Sequence, residues 1–190
     1  MKTGRLEAFS DGVLAIIITI MVLELTVPEV SGFSALKPLV PKFISYILSF
    51  IYVGIYWNNH HHLFQATEKV NGAILWANLS LLFMLSLIPF TTAWMGENHF
   101  AQNPVALYGV NLLLCAIIYA FLVKAVLKHE GKNSKIGMAI QNTKKEYLSI
   151  VVYLAGVALA FFIPVLSIIA FFGVAIMWLI PDTRIEKNLG

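Results

Sequence analysis

The chain has 190 residues, of which 59% are hydrophobic and only 12% are charged. Soluble domains carry about 25% charged residues, so this composition excludes an ordinary soluble protein and predicts an integral membrane protein. The formal net charge of +3 comes from few ionisable groups, and the sequence has no basic strip with interleaved aromatic residues, so we expect no nucleic-acid partner. The single cysteine, Cys115, rules out an intramolecular disulfide and a cysteine-based metal site.

Six apolar stretches, each close to the length of a helix that crosses a bilayer, are separated by polar residues or by Pro and Gly. They predict six transmembrane helices in one all-α domain over residues 1–190, with spans near 7–26, 38–60, 72–95, 105–127, 146–162 and 164–180. Only Ile163 and Pro164 divide the last two spans. About 35 apolar residues are too many for a single crossing, which favours a tight hairpin over one kinked helix. Within the third span, Pro89 predicts a kink.

The distribution of positive charge predicts the orientation of the chain. With the N-terminus in the cytoplasm, all of the 13 Lys and Arg residues except Lys37 and Lys42 lie on the cytoplasmic side. Cytoplasmic loops of membrane proteins carry such an excess of Lys and Arg. Because six helices return the chain to its starting side, we expect a multi-pass protein of the cell membrane with both termini in the cytoplasm.

The first span opens with charged residues, which need a partner or a purpose in a membrane helix. A charged side chain costs roughly 2.5 to 3.5 kcal/mol at a helix centre and less near an end. Arg5 and Asp11 precede an unbroken apolar run. At about 100° per residue, Ser10 and Asp11 point well away from the face that carries Gly12, Ile16, Thr19, Ile20 and Leu23. Taken alone, such an aliphatic stripe is typical of an ordinary packing face.

The pattern Arg5-x-x-x-Phe9-Ser10-Asp11 resembles the R-x-x-x-F-S-D signature at the start of the first helix in a potassium-channel family called transmembrane protein 175. Lysosomal members of that family carry two six-helix units per chain, whereas this chain has one copy of the signature and is similar to the bacterial form. The resemblance implies a homotetramer in the lipid bilayer that conducts potassium ions passively. It implies no cofactor and no enzymatic activity.

In that family the first helices of the assembled subunits line the pore, and bulky aliphatic side chains form its constriction. Carried over by offset from the aspartate, the resemblance points to a constriction and selectivity set of Ile16, Thr19, Ile20 and Leu23. Aliphatic rings narrow a path and resist wetting, whereas a ring of hydroxyls offers oxygens to a partly dehydrated cation. The chain contains no T-V-G-Y-G segment or similar carbonyl filter, so the resemblance implies a modest preference for potassium over sodium.

A second polar cluster, Trp57-Asn58-Asn59-His60-His61-His62, falls at the predicted cytoplasmic end of the second span. It allows three interpretations: a metal site, polar residues of the membrane interface, or a buried contact to the first helix. Consecutive helical residues diverge by about 100°, so the three histidines cannot reach one ion unless the helix ends there. The predicted topology puts the cluster at the depth of the signature, where an imidazole or an Asn amide can bond Ser10 and Asp11. The candidate partners in such a structural latch are Trp57, Asn58, His60 and His61.

Two functions of other classes remain open. A proton-coupled secondary transporter would use Asp11 and the His60–His62 group as a relay, although the chain lacks the internal repeat that such transporters often carry. A membrane-embedded metallohydrolase would need further ligands, and the other two histidines, His99 and His129, fall in predicted loops on opposite sides. We therefore predict no bound metal.

Overall fold

A computed structural model describes residues 3–131, 134, 137 and 144–179 of the chain. Regular structure within these residues is entirely helical, which confirms the all-α prediction for this part of the chain. The helices are α1 (Gly4–Leu23), a 3-10 helix (Phe33–Leu39) that continues into α2 (Val40–Gln65), α3 (Gly72–Ser86), α4 (Ile88–Glu97), α5 (Gln102–Glu130), α6 (Lys144–Ala160) and α7 (Pro164–Leu179).

The helices follow the predicted spans but differ at several ends. The second helix continues to Gln65, so the three histidines lie within it rather than at its end. The third predicted span is interrupted at Leu87, because Pro89 at the start of α4 has no N–H with which to continue the bonding of α3. The last two predicted spans are separate helices, and α7 begins with Pro164, which suits the first position of a helix.

Four helical segments in the described part of the chain are long and apolar enough to cross a bilayer. They are Gly4–Leu23, Phe33–Gln65, Gly72–Glu97 and Gln102–Glu130. The two later helices are shorter, with 17 residues in α6 and 16 in α7. A crossing needs about 20 residues, with a lower limit of about 17, so α6 lies at that limit and the described part of α7 is one residue shorter.

Contacts between helix ends show that successive segments run in alternating directions. At one end, Trp57 near the end of α2 bonds Asp11 near the start of α1, and the segment before α3 contacts the end of α5. At the opposite end, Lys42 near the start of α2 forms a 3.0 Å ion pair with Glu97 at the end of α4. We call the end at which α1 begins the inner end of the bundle, and the opposite end the outer end.

Two clusters of buried side chains hold the helices together. One joins α1 to α2, α3 and α5, and the other joins α2 to α5, α6 and α7. Phe171 of α7 lies at the centre of the second cluster. A Cβ atom added to Gly109 of α5 or Gly156 of α6 would lie 2.5 Å from its ring, so both positions need glycine for this close approach. The three last helices therefore interlock around one aromatic ring.

Candidate functional site

The first helix is buried along one face. Leu6, Ser10, Leu14, Ile17 and Met21 recur three or four residues apart, as side chains on one side of an α-helix do, and each is at most 5% exposed. The helices α2, α3 and α4 pack against α1. Because these contacts involve a single face, they fix the rotation of α1 about its own axis within the subunit.

The opposite face of α1 is uncovered. Ile16 is 58% exposed, Ile20 43% and Leu23 78%, and Gly12 and Thr19 are exposed between them. The stripe found in the sequence is therefore not a packing face within one subunit. Its side chains project away from the other helices that the structure describes.

Arg5 and Phe9 of the signature belong to this uncovered face. At about 100° per residue, both lie within about 20° of Ile16 around the helix. Both are exposed, and Arg5 forms no ion pair with any other residue that the structure describes. Arg5 lies at the inner end of the stripe, about 120° around the helix from Asp11. We call the face formed by Arg5, Phe9, Gly12, Ile16, Thr19, Ile20 and Leu23 the open face.

Thr19 carries the single side-chain hydroxyl of the open face. This hydroxyl donates a hydrogen bond to the carbonyl oxygen of Ile16 over 2.8 Å, the local bond that Thr commonly makes in helices. Because the hydrogen is directed toward the backbone, the lone pairs of the oxygen remain available on the exposed side. Thr19 can therefore accept a bond or contact a cation without losing its local partner.

Asp11 lies about 140° around the helix from Ile16, off the open face, and contacts the polar cluster of α2. The indole Nε1 of Trp57 donates a hydrogen bond to Oδ1 of Asp11 over 3.0 Å. The indole in turn stacks on the ring of His61, with a centroid distance of 6.2 Å and an interplanar angle of 17°. The group that reaches Asp11 is thus the indole of Trp57, one of the four candidate partners named from the sequence, rather than an imidazole or an Asn amide.

Ser10 belongs to a second, fully buried hydrogen-bonded chain. Nε2 of His60 lies 2.8 Å from Oδ1 of Asn78, Nδ2 of Asn78 donates to Oγ of Ser10 over 3.0 Å, and Oγ of Ser10 donates to the carbonyl of Leu6 over 2.8 Å. Since the amide oxygen can only accept, Nε2 of His60 carries a proton. The three side chains are at most 4% exposed. Each of the three side chains has at least one hydrogen-bond partner, which matters where water cannot substitute.

The other residues of the polar cluster point elsewhere. Asn58 and His62 are half-buried and His61 is exposed, so His60 is the one fully buried histidine of the three. No group of three or more His, Cys, Asp or Glu side chains within the described residues is arranged to hold a metal ion. The three histidines are separated around α2 as its helical geometry requires.

Sequence reasoning did not assign Asn78 to this site. The signal that identifies it is depth: Ser10, His60 and Asn78 each lie about 8 to 9 Å along the helix from its inner end, at a rise of about 1.5 Å per residue. An amide at that depth in an otherwise apolar helix needs a partner. Applying this requirement depends on knowing the helix ends, which the structure supplies.

The arrangement defines a multi-pass helical membrane protein whose first helix is anchored along one face and open along the other. The family model described as "Endosomal/lysosomal potassium channel TMEM175" matches residues 5–89, which include the signature, the polar cluster and Asn78. A protein named as a potassium channel from Chryseobacterium sp. (strain P1-3) is 61% identical over 189 residues, covering 100% of this chain and 98% of its own. The chain belongs to the TMEM175 family.

Two further relatives bear on the fold and on the matched region. A crystal structure of a lysosomal potassium-selective channel TMEM175 homologue from Chamaesiphon minutus superimposes with a TM-score of 0.83 at 33% identity, covering 95% of this chain and 97% of that one. The human protein described as an endosomal/lysosomal proton channel TMEM175 is 27% identical over 124 residues, which are 63% of this chain and 25% of the human one.

Proposed function

We propose that the protein is a potassium-permeable cation channel in which ions move passively through a central pore between identical subunits. In this proposal four subunits assemble in the cell membrane, and each crosses the bilayer six times with both termini in the cytoplasm. The printed names of its relatives support conduction of potassium. The excess of Lys and Arg at the inner end supports the orientation. The proposal assigns the chain no catalytic step and no cofactor.

The open face of α1 is the observation that carries the proposal. Helices that meet only lipid do not need small or polar residues along a face, yet this face contains Gly12, Thr19 and Arg5. Small and hydroxyl side chains are typical of close approach between membrane helices. Bringing four such faces to a common axis gives each of these residues a protein or water environment that a single subunit does not provide.

The chemistry of the open face suits a cation path without a carbonyl filter. Symmetric copies of Ile16, Ile20 and Leu23 form aliphatic rings that narrow the path and resist wetting. Between them, a ring of Thr19 oxygens offers ligands to a cation that has lost part of its hydration shell. A few hydroxyls compensate for dehydration less completely than a full cage of carbonyls. Selectivity for potassium over sodium is therefore modest in this proposal.

The contacts of Ser10 and Asp11 set the geometry of the pore helix. The buried chain through Asn78 and His60 ties the inner end of α1 to α2 and α3, and the indole of Trp57 holds the adjacent aspartate. With these two contacts on one side, the open face is directed to the other. In this role Ser10 and Asp11 of the signature position the pore helix, and Asp11 is not an ion ligand.

The test combines electrical recording from the purified protein in a planar bilayer with a measurement of the mass of the assembly. The proposal predicts discrete single-channel steps, a current that is ohmic in symmetric potassium, and four subunits per assembly. A monomer with slow, saturable flux that depends on a proton gradient would overturn it in favour of the proton-coupled transporter.

A further inference from the structure

The open face of α1 is flanked on its two sides by exposed stripes of other helices. Asp11 bonds α2 on one side of Ile16, and Ile20 lines a groove against α4 on the other side. Each flank carries six residues, spaced alternately four and three positions apart, none of which is buried. This spacing is typical of a seam that packs against another helix. We call the two sets the α2 stripe (Phe43, Ile47, Phe50, Gly54, Trp57 and His61) and the α3–α4 stripe (Trp76, Ser80, Phe83, Leu87, Phe90 and Trp94).

The two stripes match each other in membrane depth. Rotation about an axis along the membrane normal keeps the depth of every residue, so residues of two subunits can meet only at equal depth. The bonded pair His60 and Asn78 lies five and six residues from the inner ends of α2 and α3, so positions counted from these two ends correspond within one residue. On this count Gly54 and Phe83 both lie 11 residues, or about 16 Å, from the inner ends. The other members of the stripes pair in the same way.

The paired positions also complement each other in size. Gly54 lies at the depth of Phe83, which is 59% exposed, and Ser80 lies at the depth of Trp57, which is 48% exposed. Outside the neighbouring turns of α2, no atom of the subunit lies within 4 Å of a Cβ atom added to Gly54. No packing contact within the subunit therefore requires a glycine there, whereas a large ring from another subunit would need this space.

The groove beside Ile20 offers a site for side chains at greater depth. It lies between α1 and α4, its cavity volume is about 450 Å³, and Phe90 and Trp94 stack along it with an interplanar angle of 13°. An apolar cavity of about 150 Å³ accommodates a benzene molecule, so the groove has room for about three side chains. Ile47 of the α2 stripe lies 18 residues from the inner end, as Phe90 does, and is half exposed.

Opposite charges lie at the outer ends of the two flanks. Lys37 is exposed in the 3-10 helix that leads into α2, and Glu24 is exposed at the edge of the groove. Neither forms an ion pair with another residue in the part of the chain that the structure describes. Glu97, the second carboxylate at this edge, is already paired with Lys42. Charge complementarity therefore favours contact between the outer ends of the two flanks.

We propose that the α2 stripe of one subunit packs antiparallel against the α3–α4 stripe of the next, with the partner subunit's Ile47 in the groove and the partner subunit's Lys37 beside Glu24. The occupant of both flanks is thus a second copy of this chain. Because the two surfaces differ, the contact is head-to-tail and closes into a ring. The inference rests on the proposed function, since it takes the open faces of α1 to surround a common axis.

Cysteine crosslinking between two differently tagged chains tests this contact. Phe50→Cys in one chain and Leu87→Cys in the other place both thiols 15 residues from the inner ends, and a disulfide needs Cα atoms within about 7 Å. After co-expression and mild oxidation, we expect a covalent dimer that carries both tags. Leu159→Cys on α6 is the matched control, because Leu159 and Leu87 are both 37% exposed and lie equally far from the inner helix ends. Phe50→Cys with Leu159→Cys should give no dimer, and neither should Phe50→Cys alone.

A size exchange gives an independent test by the mass of the purified assembly. Gly54→Leu should dissociate the assembly, and adding Phe83→Ala should restore it. Gly173→Leu on α7 should leave the mass unchanged, because Gly173 is also exposed and equally free of contacts to a Cβ atom. Both leucine variants favour a helix over glycine, which guards against simple misfolding.

The outcomes separate this contact from the proposed function. A conducting assembly of four subunits that gives no dimer between Phe50→Cys and Leu87→Cys would overturn the contact and leave the channel standing. Equal crosslinking with Leu159→Cys, or an unchanged mass for Gly54→Leu, would also overturn the contact. A dimer from Phe50→Cys alone would replace the head-to-tail arrangement with a two-fold one. A monomeric protein would overturn both the contact and the channel.

Discussion

Asn78 is the member of the buried chain whose replacement is most informative. Substituting Asn78 with Leu keeps a side chain of similar volume but removes the acceptor of His60 and the donor to Ser10. Ser10 retains its bond to the carbonyl of Leu6, so it loses only an incoming donor. The main cost therefore falls on the N–H of His60, which is 2% exposed and has no water to replace the lost acceptor.

The size of the effect follows from these two lost bonds. Interhelical hydrogen bonds in membranes average about 0.6 kcal/mol and reach about 1.7, and a stranded buried donor costs about 1 to 3 kcal/mol. We expect Asn78→Leu to lower the free energy of unfolding by about 1 to 3 kcal/mol. For a chain of this size, that corresponds to a fall in Tm of roughly 3 to 10 °C.

Thermal unfolding of the purified assembly in detergent measures this change. Asn59→Leu is the matched control, because the amide of Asn59 donates to the carbonyl of Ile55 within its own helix. Ser10→Ala combined with Asn78→Leu should cost less than the sum of the two single substitutions, since both interrupt one chain. If Asn78→Leu is no more destabilising than Asn59→Leu, the buried chain does not anchor α1. The same conclusion follows if the effects of Ser10→Ala and Asn78→Leu on the free energy of unfolding are fully additive.

Three further predictions concern α1 directly. Replacing Ile16 or Leu23 with Asn should wet the constriction and raise the current at equal surface expression, and an unchanged conductance in both variants would remove these residues from the pore. Thr19→Val keeps nearly the same volume without the oxygen, so the preference for potassium over sodium should fall; an unaltered reversal potential under bi-ionic conditions would contradict this. Asp11→Asn and Trp57→Phe should each reduce thermal stability and open probability with ion selectivity unchanged. A change of selectivity at normal stability would instead place Asp11 on the ion path.

Local periodicity predicted the features that depend on one helix. The apolar stretches correspond to the helices, and Pro89 marks the break between α3 and α4. Periodicity also grouped Gly12 to Leu23 on one face, although taken alone it favoured a packing face, and that face is exposed. The same periodicity also puts Arg5 and Phe9 on that stripe. This placement was not predicted, because the signature was treated as one unit, whereas its four residues are distributed around the helix.

Features that depend on several helices were harder to predict. Hydropathy falls at the histidines of α2, yet the helix continues to Gln65, because backbone bonding persists after the apolar stretch ends. Asn78 joins Ser10 and His60 through contacts between residues distant in the chain. Their shared depth becomes visible only when the helix ends are known. Trp57 was among the candidate partners of Asp11, but the choice between its indole and an imidazole depends on the rotation of α2, which local sequence patterns do not set.

Block of the potassium current by a charged thiol reagent at position 23 tests whether the open face of α1 lines the pore. The native Cys115 is fully buried, so the reagent should not modify the channel that lacks an introduced cysteine. Leu23 and Val22 are neighbours that are both exposed in the subunit, but they differ by about 100° around α1, and only Leu23 lies on the open face. We expect the reagent to abolish current through Leu23→Cys channels and to leave Val22→Cys channels conducting. Block at Val22→Cys with normal current at Leu23→Cys would contradict a pore lined by the open face.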